Sequence, residues 1–232
     1  MAKNYVKRNG TQMSDSFLTA SFIILSGGFQ DAYTYCCRDR VFANAQTGNI
    51  VLMSSHLFEG EWRNALLYLV PILAFILGTF AAESIRLRYQ ELRTVHWRQI
   101  IVAMEVFLLF LVGFVPIQMN FLANAVVSFV CAMQVQAFKK VHGYAYASTM
   151  CIGNMRSGTE ALCLFLHNHD KATLLKALTY FRVIGIFAIG AGTGSFITLH
   201  WGERAIWACC VLLSVSFTVM SVSGEQNITH NS

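Results

Sequence analysis

Charge is what this chain has least of. Asp, Glu, Lys and Arg make up 12% of its 232 residues, against about 25% in a soluble domain. So few charges cannot cover a water-facing surface of this size, which excludes an ordinary cytosolic enzyme and a disordered chain. Metal and disulfide spacing is missing too. The seven cysteines (Cys36, Cys37, Cys131, Cys151, Cys163, Cys209, Cys210) are odd in number and none stand at C-x-x-C spacing. Adjacent pairs such as Cys209-Cys210 suit neither a zinc site nor a disulfide framework. Most lie in apolar runs, which reads as small core residues. There is no H-E-x-x-H, P-loop, G-x-S-x-G or S-x-x-K. With no nucleophile-base or metal set at usable spacing, the chain reads as not an enzyme, and it names no cofactor. His167-Asn168-His169 beside Asp170 reads as a surface loop rather than a metal site.

What the chain has instead is apolar surface: 55% hydrophobic residues and a mean hydropathy of +0.50. The fold class expected is an all-α integral membrane protein. A span needs about 20 mostly apolar residues, and six stretches qualify: Phe17 to Cys37, Asn64 to Ala82, Gln99 to Val115, Ile117 to Phe138, Ala177 to Leu199, and Ala205 to Ser223. Pro116 leaves almost no loop between the third and fourth, so these must form a tight hairpin. Two segments, Val41 to Phe58 and Tyr144 to Leu166, are too polar for spans and too apolar for loops. They read as short extra helices, re-entrant or interfacial.

The net charge of +5 would suggest nucleic acid in a soluble protein. Here the cations sit in short loops, where they report orientation instead. With six spans and the N-terminus inside, twelve of the 17 Lys and Arg fall on the cytoplasmic side, among them Lys3, Lys7, Arg8 and the set between Arg86 and Arg98. Arg38, Arg40, Arg63 and Arg204 fall outside. Eight spans would move the Arg86 to Arg98 set outside, against the positive-inside rule. Both termini are therefore expected in the cytoplasm. No small-residue cleavage site follows the first apolar run, which reads as an uncleaved span. The Asn227-Ile228-Thr229 sequon would then face the cytoplasm.

The chain also resembles itself at an offset of 105 residues. Asp31, Ala32 and Tyr33 fall on Gln136, Ala137 and Phe138, and Thr47-Gly48-Asn49 falls on Ile152-Gly153-Asn154. ILGTFAA near Gly78 resembles GAGTGSF near Gly192 after a small insertion. The expected organisation is a tail over 1–15, three-span halves over 16–116 and 117–223, each with a short helix after its first span, and a tail over 224–232. An odd number of spans inverts the second half relative to the first, a pattern of secondary transporters, whose sites lie near the midplane. A purely architectural duplication explains the repeat equally well.

Candidate site residues are the polar ones inside these spans. Asp31 stands two-thirds along the first span, where an ionised carboxylate costs about 2.5–3.5 kcal/mol on insertion scales, and Gln30 is beside it. Gln134 and Gln136 occupy the equivalent zone of the fourth span, as ligands or as interhelical glue. Thr47, Gly48 and Asn49 read as a helix start whose amides face the bundle, with Gly153 and Asn154 opening the second such helix. Arg156 either joins an anion site or pairs with Glu160 four residues on. Arg182 either reaches a cavity or snorkels, and Glu105 in the third span is its partner or a second proton site. Gly190 and Gly194 form a G-x-x-x-G that reads as close helix packing.

GGFQDAY followed by FANAQTGNIVLM resembles the YoaK-like family of bacterial multi-pass membrane proteins, a domain of unknown function (DUF1275). The resemblance rests on Gly28, Asp31, Ala32 and on Thr47, Gly48, Asn49. In the second half it rests on Gln134 to Ala137 and Gly153-Asn154, with Ile152 where a threonine is expected. It implies a bacterial inner-membrane protein and no established activity. Two functions are carried forward. One is a transporter of a small polar or anionic solute, with Asp31 as the proton- or cation-coupled group. The other is a non-transporting membrane scaffold or assembly partner. An oligomer is compatible with either.

Overall fold

A computed structural model describes residues 17–90, 97–141, 144–146 and 148–229. The expected N-terminal segment 1–15, with Lys3, Lys7 and Arg8, and also Arg93, lie outside the described residues. The fold is almost entirely helical. Its helices are α1 (Phe17–Cys37), α2 (Gln46–Phe58), α3 (Trp62–Tyr89), α4 (Trp97–Val112), α5 (Asn120–Ala137), α6 (Cys151–Asn168), α7 (Lys171–Trp201) and α8 (Trp207–Thr229). Short 3-10 turns at Ile117–Met119 and Gly202–Ile206 lead into α5 and α8. Between α5 and α6 a two-residue antiparallel ladder pairs β1 (Lys140–Val141) with β2 (Tyr144–Ala145), Lys140 opposite Ala145.

The boundaries have local causes. After α1, Asp39 and Arg40 both take positive φ, 63° and 56°. This left-handed turn is costly for residues with a Cβ, and it folds the chain back so that Val41 and Ala43 are buried. His169 closes α6 in the left-handed conformation. Asp170 then caps α7, accepting from the amides of Ala172 and Thr173. Hydrogen bonds from Thr173 and Ala172 hold the Asp170 carboxyl below the ordinary carboxylate range. A positive φ at Gly202 ends α7.

Among the described residues three helical segments are long and apolar enough to cross a membrane: Trp62–Tyr89, Ile117–Ala137, and the run Lys171–Val222 that contains α7 and most of α8. Large apolar side chains such as Leu73, Phe80, Phe107, Ile189, Phe196 and Val211 point outward. A bundle apolar on its outer face as well as inside is what a lipid solvent selects. α1, which carries Gln30 and Asp31, is the helix the others enclose. It packs on α7, α8 and α5, burying Ile23, Ile24, Phe29 and Tyr33.

Packing partners and directions are defined by individual contacts. α1 crosses α7 in parallel, with Leu25 at Gly190 and Phe29 at Gly194. α3 crosses α5 in parallel, with Gly78 at Phe129 and Glu83 accepting from Gln136. α1 runs antiparallel to α5, since Ile23 meets Gln134 and Arg38 meets Asn120. α4 runs antiparallel to α8, since Gln99 meets Ser221 and Phe110 meets Trp207. α2 lies on α3, and α6 lies on α7.

The α1–α7 crossing leaves no space for a side chain. A Cβ on Gly28 would overlap the Phe187 carbonyl, and one on Gly190 would overlap that of Leu25. Because the obstructing atoms are main chain, neither can yield by a rotamer change. Gly28→Ala is expected to lower stability by about 1–3 kcal/mol, the usual cost of overpacking. Gly185→Ala, on α7 where nothing lies within 4 Å, should not. Thermal unfolding of both variants in the same detergent checks this.

Candidate functional site

The connection before α2 is shaped by Asn49. Its Oδ1 accepts from the Phe42 amide at 3.2 Å, and its Nδ2 donates to the Phe42 carbonyl at 2.7 Å and to Gln46 Oε1 at 2.9 Å. Gln46 in turn donates to the Ala43 carbonyl at 2.8 Å. Asn49 is fully buried and spends its amide on holding residues 42–46, not on facing a cavity. Gly48 rests on the Phe42 ring. Thr47 is not the cap: α2 starts one residue earlier, after Ala45, with no side-chain cap, and Thr47 is exposed.

This connection delivers Asn44 to α1. The Asn44 amide donates to Asp31 Oδ1 at 2.8 Å, and its side-chain Nδ2 donates to the Gly27 carbonyl at 3.3 Å. The segment before α6 arrives at the same place. Thr149 packs directly on Gly27, and Gln134 lies beside it. Cys151, the first residue of α6, is within electrostatic reach of Asp31. One stretch of α1, Gly27 to Asp31, thus receives both connections.

The two connections and α5 beside them carry four buried polar atoms without a hydrogen-bond partner among the described residues: Asn44 Oδ1, Gln134 Oε1, Ser148 Oγ and Thr149 Oγ1. Leaving such atoms unpaired costs about 1–3 kcal/mol each, so the grouping asks for water or a solute. The amide orientations are fixed from their other ends, because Gln134 Nε2 donates to the Ile23 carbonyl at 2.9 Å and Asn44 Nδ2 to Gly27. This ring of residues offers a carboxylate and two amide oxygens as acceptors, and two hydroxyls that can donate as well as accept.

The other residues singled out from sequence lie apart from this ring or support it. Gln30 is buried and fully engaged, donating to Ser26 Oγ and accepting from Cys131 Sγ, both at 3.0 Å. Gln136 donates to Glu83 at 2.6 Å, and Glu83 also pairs with Arg86. Asn154 is buried in the first turn of α6, whereas Gly153 has open space around it. Arg156 is 80% exposed at its side chain and pairs with Glu160 at 3.0 Å. Arg182 is exposed. Neither arginine reaches Asp31, so the cationic half of an anion site is not assembled there.

Sequence reasoning passed over Asn44, Ser148 and Thr149. A signal existed, since Asn44 and Thr149 stand at the same 105-residue offset and each is five residues before its helix asparagine. It also misplaced Arg38, counted among the external loop cations. Arg38 is fully buried. It donates to Tyr33 Oη, Asn120 Oδ1 and the Val115 carbonyl, each at 2.9 Å, and to the Val112 carbonyl at 3.4 Å. It locks the end of α1 onto the α4–α5 hairpin. Nothing in the run Arg38-Asp39-Arg40 distinguishes it from a surface loop.

One other cluster bears on metal chemistry. At the α2–α3 connection His56, Glu59 and Glu61 bring ligand atoms within 4.8 Å of one another. They are exposed or half-buried. Asn64 and His56 bond the Glu61 carboxylate and hold it below its ordinary range.

A family model described as "Protein of unknown function (DUF1275)" matches residues 19–219. No curated protein matches the chain, and no solved structure does.

Asn49→Ala removes three hydrogen bonds from the connection that positions Asn44. Net values of about 0.5–1.5 kcal/mol per bond set the expected loss at roughly 2–4 kcal/mol. The thermal unfolding midpoint of the purified variant measures it, and Thr47→Ala, at an exposed position, should leave that midpoint unchanged.

Proposed function

This chain belongs to the DUF1275 family, and we propose that it is a six-span membrane transporter for a small polar solute, built as two inverted three-helix halves. Exchanging α1–α4 with α5–α8 carries the helix packing onto itself. The pair α1–α7 becomes α5–α3, α2–α3 becomes α6–α7, and α4–α8 maps on itself. The antiparallel registers of α1 with α5 and of α4 with α8 support inversion between the halves. The excess of Lys and Arg on one side supports both termini in the cytoplasm, and the family resemblance supports a bacterial inner membrane.

The observation that carries the transporter reading is the half-buried Asp31 with unpartnered acceptors around it, where both connections meet α1. Midplane sites at a repeat interface are a transporter feature. The ring's chemistry favours a solute that donates hydrogen bonds, such as an amine or a polyol, over an anion. Asp31 then binds the solute directly or carries the coupled proton. No reaction is proposed: the site offers binding groups and no nucleophile paired with a base.

A scaffold is the competing reading. It is favoured by the outward groove of about 830 Å³ along α6, lined by Ile152, Met155, Cys163 and Leu164 among others.

A stability screen of the purified protein against small amines, polyols and organic acids distinguishes the two. A solute present at about 100 times its Kd adds about 2.7 kcal/mol. We expect such stabilisation from a hydrogen-bond donor in the wild type, and its loss in Asp31→Asn. No stabilisation by any compound, together with a stoichiometric co-purifying protein, would favour the scaffold.

A further inference from the structure

Glu105 is a second carboxyl in the interior, one to which neither the solute ring nor any ion pair lays claim. It is fully buried in α4, on the face that carries Ile101, Leu109 and Val112. Both of its oxygens lack a hydrogen-bond partner among the described residues. An ionised carboxylate there would meet neither water nor a cation, and such a group takes up a proton instead of staying charged.

Its place in the bundle follows from the helix registers. Arg98 over Phe138 and Arg38 on Val112 and Asn120 fix an antiparallel α4–α5 register. That register puts Glu105 opposite the turn of α5 holding Ser128 and Cys131. Ser128 Oγ, and Ser216 Oγ on α8, are also buried without partners. Cys131 donates to Gln30, next to Asp31. Titratable groups nearest to it on the elements packed against α4 have partners of their own or lie at the helix ends. Cys209 and Cys210 of α8 donate to carbonyls. Glu83 of α3 is paired with Arg86. Glu203 and Arg204 sit in the turn before α8.

We propose that Glu105 is a proton-binding site of the transporter core, distinct from Asp31, which holds its proton in the closed packing and exchanges it when water enters between α4 and α8. In that exchange the Glu105 O–H bond breaks, the proton passes to an entering water, and the carboxylate left behind is solvated by the water that has entered. The role in transport rests on the reading above, whereas the proton site itself does not.

Infrared spectroscopy of the purified, solute-free protein tests it. A protonated carboxyl gives a C=O stretch above the amide band that moves to lower frequency in D2O. We expect this band in the wild type at neutral pH, loss of the band in Glu105→Gln, and its downshift within hours of transfer to D2O. If Glu105→Gln does not fold, ¹³C-glutamate labelling of the wild type must move the band, whereas ¹³C-aspartate labelling must not. Absence of the band at neutral pH, its persistence in Glu105→Gln made together with Asp31→Asn, or a band that never exchanges in the folded protein would overturn the proposal. Because no solute is used, a negative solute screen leaves this result standing.

Discussion

The architecture depends on the contact of α1 with α7 at Gly28, Gly190 and Gly194. α1 carries Gln30 and Asp31 within its length, and α7 approaches it closely enough to exclude lipid. Lipid offers no hydrophobic drive between helices, so main-chain proximity and van der Waals contact must supply the association. Small residues make that proximity attainable. α3 and α5 repeat the arrangement with Gly78 against Phe129.

Once α1 is enclosed, its polar residues must be satisfied from neighbouring helices and connections. Gln30 is served by Ser26 and Cys131, and the Ile23 carbonyl by Gln134. Beyond the last turn of α1, Arg38 is served by four acceptors. Asp31 is met by the Asn44 amide. What is left unsatisfied is therefore informative. Asn44, Gln134, Ser148 and Thr149 carry orphan atoms on the segments that meet α1 near Gly27, and Glu105 carries two in α4. The proposed solute site rests on the first group, and the proposed proton site on the second.

Much of the fold was legible in the sequence. α1 covers the same residues as the first apolar run, Phe17–Cys37, and α5 starts from the tight turn at Pro116. Apolar length decides these elements, and length is visible in one dimension. The two ambiguous segments became α2 and α6 because they combine helix-forming stretches with polar connections that need a neighbour. The site was only half legible. Asp31 stood out because a carboxylate is rare in an apolar run. Thr47 to Asn49 read in one dimension as a helix start, and the three-dimensional arrangement starts α2 at Gln46 and gives Asn49 the shaping of the loop. Arg156 and Arg182 were candidates by charge alone, and their exposure takes them away from Asp31. Arg38 was invisible, because burial of a cation among neutral carbonyls depends on a turn that no local pattern announces.

The central claim is that two oppositely oriented halves bring their connections together on α1. Single cysteines at Gln90, after α3, and at Gly202, after α7, occupy corresponding places in the two halves. In a cysteine-free background they can be labelled in intact cells with a membrane-impermeant maleimide. The account predicts that Gly202→Cys is labelled from outside and Gln90→Cys only after the membrane is opened. Labelling of both positions from the same side would contradict it.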